Sequence, residues 1–106
     1  MSGQYILDEK GNPVASSDLL LWGKWMQETK LRTVAKNTTS RGVRISTVFL
    51  GLDHSFGESE PVLWETMIFG GPHDQYQERY TSLAAAVEGH NRATELAMKA
   101  EGKEPS

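Results

Sequence analysis

Two runs of apolar residues, mainly β-branched and aromatic, dominate the middle of the chain and flank a polar loop. The runs cover residues 43–50 (VRISTVFL) and 62–69 (VLWETMIF). Such residues fit the pleated, half-buried surface of a sheet. The pattern therefore predicts two antiparallel strands joined by a loop that carries Asp53, His54, Ser55, Phe56, Gly57, Glu58 and Glu60.

Helical periodicity precedes these strands. Apolar side chains recur at helical spacing from Leu19 to Met26, which predicts a helix over residues 17–28. Ser16 or Ser17 is the expected N-cap, with Asp18 in the first turn, where the helix dipole favours an anion. The apolar surface of this helix is wide, so we expect it to be buried on more than one side.

A second, alanine-rich helix is predicted over residues 83–100, with Thr81 or Ser82 as its N-cap. The remaining segments are predicted as a hairpin over residues 5–14 and strands over residues 31–36 and 75–81. The face of the second helix that is expected to pack on the sheet carries Leu83, Val87, His90 and Ala97.

The order of these elements predicts an α+β fold, an antiparallel β-meander of three to five strands covered by two helices. Residues 1–100 are expected to form one domain, and residues 101–106 a flexible C-terminal tail.

Composition sets the expected compartment. The chain has no cysteine and no apolar run of the roughly 20 residues that a membrane span requires. We therefore expect a cytoplasmic protein without membrane contact.

Charge is unevenly distributed along the chain. The net charge of −3 argues against generic binding to nucleic acid. Residues 24–44 nevertheless hold six basic residues and one acid, and residues 53–79 hold six acids and one base. Either neighbouring strands pair these charges on a solvated face, or the basic segment forms a patch for a phosphate or an acidic partner.

Catalytic signatures are not recognisable. Asp53, His54 and Ser55 are adjacent in sequence. The side chains of a nucleophilic triad must converge in space, whereas those of neighbouring residues in an extended chain point apart. Asp53 and Ser55 are better explained as side chains that bond the loop backbone. No catalytic residue is predicted.

A metal site is not predicted either. His54, His73 and His90 lack the paired spacing typical of zinc sites, although His54 and His73 would approach each other if both loops lay at one end of the sheet. His90 is expected to be a hydrogen-bonded core histidine. No cofactor is expected.

The strand over residues 62–69 is apolar on both faces, with Trp64 on one face and Glu65 on the other. We expect Glu65 to form a cross-strand ion pair with Arg44 or Arg32; a buried functional carboxylate is the alternative. If the helices cover only one face, the other exposes an apolar patch, and this predicts a two-fold homodimer. The alternative is that the N-terminal hairpin folds back over this face and keeps the protein monomeric.

Three segments, STVFLGLDH (46–54), ETMIFGG (65–71) and RYTSLAAAVEGH (79–90), resemble in sequence and order a group of small uncharacterised proteins encoded by bacteriophages and prophages. The resemblance spans roughly the C-terminal two thirds of the chain. It implies an accessory gene of a phage and carries no activity.

The resulting hypothesis is a non-enzymatic binding protein that contacts a host or phage macromolecule, with a protein as the expected partner and the countering of a host defence as one role. The alternative is a small-ligand (nucleotide-like) binder or minor hydrolase that uses Asp53, His54, Glu65 and His73. The predicted binding residues are Asp53, His54, Phe56, Glu58, Trp64, Glu65 and His73.

Overall fold

The computed structural model describes residues 3–55 and 60–102. Among them, two helices accompany a two-stranded and a four-stranded antiparallel sheet, so the predicted α+β class and meander are confirmed. The elements in chain order are β1 (Tyr5–Leu7), β2 (Pro13–Ala15), α1 (Leu19–Glu28), β3 (Thr33–Thr38), β4 (Arg44–Phe49), β5 (Trp64–Phe69), β6 (Gln77–Tyr80) and α2 (Leu83–Gly102).

The N-terminal hairpin forms because its turn satisfies its own backbone. The Asp8 carboxylate accepts hydrogen bonds from the amides of Lys10 and Asn12, both at 2.9 Å. Gly11 adopts a φ of 85°, a left-handed conformation that glycine tolerates best. Pro13 opens β2, the position where a missing N–H costs least.

The meander has the order β3-β4-β5-β6, and its register assigns each side chain to one of two faces. One face is buried beneath α2. The other, which we call the open face, is covered by no element of the described chain and carries half-buried or exposed side chains. The buried positions of β4 and β5 are Ile45, Thr47, Phe49, Trp64, Thr66 and Ile68.

Helix α2 packs across all four strands of the meander. Ser82 caps it by accepting a hydrogen bond from the Ala85 amide at 3.1 Å, as predicted. The helix continues to Gly102, so the first two residues of the predicted tail are helical.

The face that α2 buries differs from the predicted one. His90 and Ala97 are buried as expected, but Leu83 and Val87 are 43% and 44% exposed. The expectation failed because the helix approaches the sheet through its small residues, which allow close contact and turn the larger side chains outward. The buried residues of α2 are Ala86, Gly89, His90, Ala93 and Ala97.

Helix α1 departs most from expectation. Its N-cap is Asp18, whose carboxylate accepts hydrogen bonds from the amides of Leu20 and Leu21 at 3.0 and 3.1 Å. None of its residues is buried, so the prediction of burial on more than one side is wrong. The backbone of the helix approaches β1, whereas α2 lies across the meander, and Leu20 is 85% exposed.

Two tryptophans hold α1 in place. The Trp22 indole nitrogen donates to the backbone oxygens of Tyr5 and Gly51, both at 3.1 Å. The Trp25 ring meets Phe49 edge-on, with the ring centroids 5.9 Å apart. Helix α1 thus closes one end of the core. Within the described ranges, neither helix has the length and apolar character needed to cross a membrane.

Candidate functional site

Asp53 fixes the base of the loop that sequence analysis selected. Its carboxylate accepts hydrogen bonds from the amides of Ser55 at 2.8 Å and Val62 at 2.9 Å. These bonds, with the Ser55 amide the strongest influence, lower the pKa of Asp53 below its usual value. The carboxylate therefore shapes the turn, as the sequence suggested.

His54 is the neighbouring candidate and is half-buried, with its amide donating to the Val62 oxygen at 3.0 Å. Phe56 and Glu58, the other predicted binding residues of this loop, lie outside the described residues.

Trp64 belongs to the core, because it is only 2% exposed and its ring centroid lies 5.6 Å from that of Phe49. Its indole nitrogen is buried and has no hydrogen-bond partner among residues 3–55 and 60–102.

Glu65 lies on the open face and forms the predicted cross-strand ion pair, but with a different cation. Its carboxylate accepts from the Arg79 guanidinium at 2.9 Å and also from the Gln77 amide. Arg44 and Arg32 are not its partners because the register sets Glu65 opposite Arg79 on β6. The Arg44 guanidinium instead lies over the Phe69 ring, 5.2 Å from its centroid.

His73 lies beyond the far end of β5, whereas His54 lies before its start. The six residues of β5 span roughly 20 Å at about 3.3 Å per residue. The two histidines therefore cannot share a metal ion. In the described parts of the chain, no three His, Cys, Asp or Glu side chains are placed to hold one.

The neighbour of His73, Asp74, is also engaged in structure. Its carboxylate accepts from the Gly70 amide at 2.6 Å and so closes the turn after β5.

A chain of polar side chains links α2 to the sheet through the buried His90. Its Nδ1 lies 2.7 Å from the Thr47 hydroxyl and its Nε2 lies 2.6 Å from the Asn37 side-chain oxygen. The Thr47 and Thr66 hydroxyls are 2.5 Å apart. Because the Asn37 oxygen can only accept, Nε2 carries the proton and Nδ1 accepts from Thr47.

Burial lowers the pKa of His90 below its usual value, which favours the neutral ring. The prediction of a hydrogen-bonded core histidine is confirmed. With both ring nitrogens bonded inside the protein, His90 has no position from which to transfer a proton to a substrate.

An apolar groove of about 330 Å³ lies between the hairpin, β3 and the start of α2. Leu7 and Trp64 contribute the buried part of its lining, while Leu31, Leu83 and Val87 are between 43% and 49% exposed. The remaining lining residues are Gly11 and Val34. The volume falls in the usual range of ligand pockets, about 300–1,000 Å³.

Sequence reasoning missed this groove because it assigned Leu83 and Val87 to the core. One feature of the sequence could have indicated this exposed apolar surface. The chain offers two helices with apolar stripes but only one small sheet to cover them, so some of that apolar surface must stay exposed.

A second, polar groove of about 560 Å³ lies between the β3–β4 turn and the C-terminal part of α2. Glu101 accepts hydrogen bonds there from the hydroxyls of Thr39 and Ser40. His90 reaches this groove only through Asn37, which is one of its lining residues. The groove offers hydrogen bonds rather than an activated nucleophile.

Within residues 3–55 and 60–102, the candidates for acid–base chemistry are thus spread over two loops, the open face and the core, and do not converge. Comparison of the chain with protein-family models, with curated proteins and with solved structures finds no match.

Proposed function

We propose that this protein is a non-enzymatic binding protein that docks a protein partner through its apolar groove. The observation that supports the proposal is that the protein has an apolar groove, while polar side chains that could take part in catalysis are already bonded within the protein. Asp53 and Asp74 are bonded to backbone amides, Glu65 to Arg79, and His90 to Thr47 and Asn37.

The character of the groove favours a protein over a small ligand. Small-molecule sites use a few convergent polar groups to fix the orientation of the ligand. Among the described residues, this groove is lined by aliphatic side chains, a glycine and Trp64, whose indole N–H is the one polar side-chain group of that lining. Apolar anchors that fill a desolvated pocket are typical of the energetic centre of protein interfaces.

The expected occupant is a short helix or extended segment of the partner that inserts apolar side chains between Leu31 and Val87. The biological setting of the protein is part of the same proposal. As the resemblance implies, the protein acts as a phage or prophage accessory protein in the cytoplasm of a host bacterium, where binding a host protein would counter a defence.

Affinity capture from host cells tests the groove with two matched variants. Val87→Glu places a charge on the groove wall, and Met98→Glu makes the same change three turns further along α2, where Met98 is 59% exposed. We expect the partner to be retained by the parent chain and by Met98→Glu and lost from Val87→Glu. Equal retention by both variants would reject the groove as the docking site.

The loop over residues 53–60 is the second candidate surface, because polar residues presented by a rigid scaffold often bind partners. His54→Ala in the same capture experiment measures its contribution. We expect folding to be intact and retention to weaken less than in Val87→Glu. Turnover of an ester or phosphoester that disappears in His54→Ala would favour the hydrolase alternative instead.

A further inference from the structure

The open face of the meander has a composition unlike the rest of the chain. The register brings to this face side chains from all four strands, and none of these is fully buried. From β3 to β6 they are Thr33, Lys36, Thr38, Arg44, Ser46, Val48, Glu65, Met67, Phe69, Gln77 and Arg79.

The net charge of this face is opposite in sign to that of the whole protein. Three cations, Lys36, Arg44 and Arg79, stand against one carboxylate, Glu65, which leaves a net charge of +2 in a chain of net charge −3. Arg79 is already paired with Glu65. Across the described residues, neither Lys36 nor Arg44 has a carboxylate within ion-pair distance.

Between these cations lies an apolar strip. Val48, Met67 and Phe69 are half-buried and occupy the two central strands, with Lys36 on one edge strand and Arg79 on the other. A shallow concavity of about 100 Å³ opens there. The Arg44 guanidinium carbon lies over the Phe69 ring, 5.2 Å from its centroid, which adds a cation to the apolar strip.

From this arrangement we propose that the open face binds single-stranded nucleic acid. Phosphates would lie along Lys36 and Arg44, and bases would stack on the Arg44–Phe69 pair and pack against Met67. Single strands are held by cations that follow the backbone and by planar side chains that receive the bases. The four strands span about 14 Å, three spacings of about 4.8 Å, which fits an extended strand.

The net charge of −3 does not exclude this binding, because association responds to the local potential of the surface that is approached. Acidic groups lie elsewhere: Glu78 faces α2 and pairs with Arg92, and Glu101 lines the polar groove. An acidic peptide would satisfy the cations but would leave the apolar strip without a planar partner.

Fluorescence anisotropy with 5′-labelled 12-nucleotide dT and U strands tests the proposal on the full chain. At 25 mM salt we expect saturable binding. Two or three phosphate contacts predict that the logarithm of the association constant falls with the logarithm of salt concentration with a slope of about −1.4 to −2. No binding at 100 μM protein would overturn the proposal.

Two double variants of equal net charge locate the site. Lys36→Gln/Arg44→Gln removes the unpaired cations of the open face, and we expect at least a tenfold loss of affinity and a slope shallower by about 1.4. Lys24→Gln/Lys99→Gln removes two exposed cations from α1 and α2 and should change affinity less than twofold.

If the double variant folds poorly, Lys36→Gln alone replaces it in the test. This single change on the edge strand β3 should also lower the affinity. Equal losses in the two double variants would show a response to total charge only, and this would overturn the site. A hexaglutamate peptide that competes as well as the dT strand would overturn the assignment to nucleic acid in favour of an acidic protein.

Discussion

The backbone of Gly89 lies against the ring of Tyr80, so closely that a Cβ at position 89 would stand 2.1 Å from the phenolic oxygen and 2.3 Å from two ring carbons. Helix α2 can rest on β6 only because residue 89 has no side chain. We expect Gly89→Ala to lower the free energy of unfolding by roughly 1–3 kcal/mol, the usual cost of overpacking, despite the better helix propensity of alanine. Urea titration measures the change.

Gly23→Ala is the matched control. Gly23 is also within a helix, but apart from its chain neighbours and the adjoining helix backbone, no atom of the described residues lies within 4 Å of a Cβ built there. Alanine should therefore raise the free energy of unfolding by up to about 1 kcal/mol through helix propensity alone. If both substitutions stabilise the protein, α2 does not sit as closely on Tyr80 as we describe.

The polar chain through His90 predicts a pH dependence of stability. Because burial holds the pKa of His90 below its unfolded value of 6.5, the unfolded chain binds the proton more readily. The contribution of His90 to the free energy of unfolding is complete above pH 6.5. It is lost as the pH falls below that value, at no more than about 1.4 kcal/mol per pH unit. Denaturant titrations from pH 7.5 to 5.5 measure this slope.

His90→Gln separates this effect from other titrating groups. Glutamine can still bond within the chain but does not titrate, so we expect a lower stability at pH 7.5 and a flatter profile toward pH 5.5. Parallel profiles for the variant and the parent chain would mean that His90 is not the group responsible.

Trp64 and Trp22 differ in what they support. Trp64 is 2% exposed and contacts Phe49, whereas Trp22 is half-buried and anchors α1 through its indole N–H. We expect Trp64→Ala to cost roughly 3–5 kcal/mol, much of the total stability of a small domain. Trp22→Ala should cost less and loosen α1 first, which hydrogen exchange of the α1 amides can detect.

How far the sequence predicted this molecule depends on which property is considered. The strands around Ile45 and Ile68 were predictable because a run of apolar residues that are mainly β-branched and aromatic is a local signal. The Asp53 turn was predictable for the same reason, since its bonds reach backbone amides that are close in sequence or adjacent in the hairpin.

The partners of Glu65 and the exposed side of α2 were not predictable in this way. Choosing Arg79 over Arg44 requires the order of the strands and their register, both of which are set by tertiary packing. The outward position of Val87 follows from the small residues of α2. Periodicity identifies an apolar stripe, but it does not show which part of a wide stripe meets the sheet.

The oligomeric state gives a final prediction, because the open face is the surface on which the sequence predicts a dimer. A two-fold pairing of open faces would bring two surfaces of net charge +2 together, and their cations would lose solvation without gaining carboxylate partners. Val48, Met67 and Phe69 are already half-buried within each chain, so little apolar surface would be gained. We therefore expect light scattering at micromolar concentration to give a mass near 11.8 kDa. A mass near twice that value, returned to that of the monomer by Met67→Glu but not by Val87→Glu, would instead establish the sheet-mediated dimer.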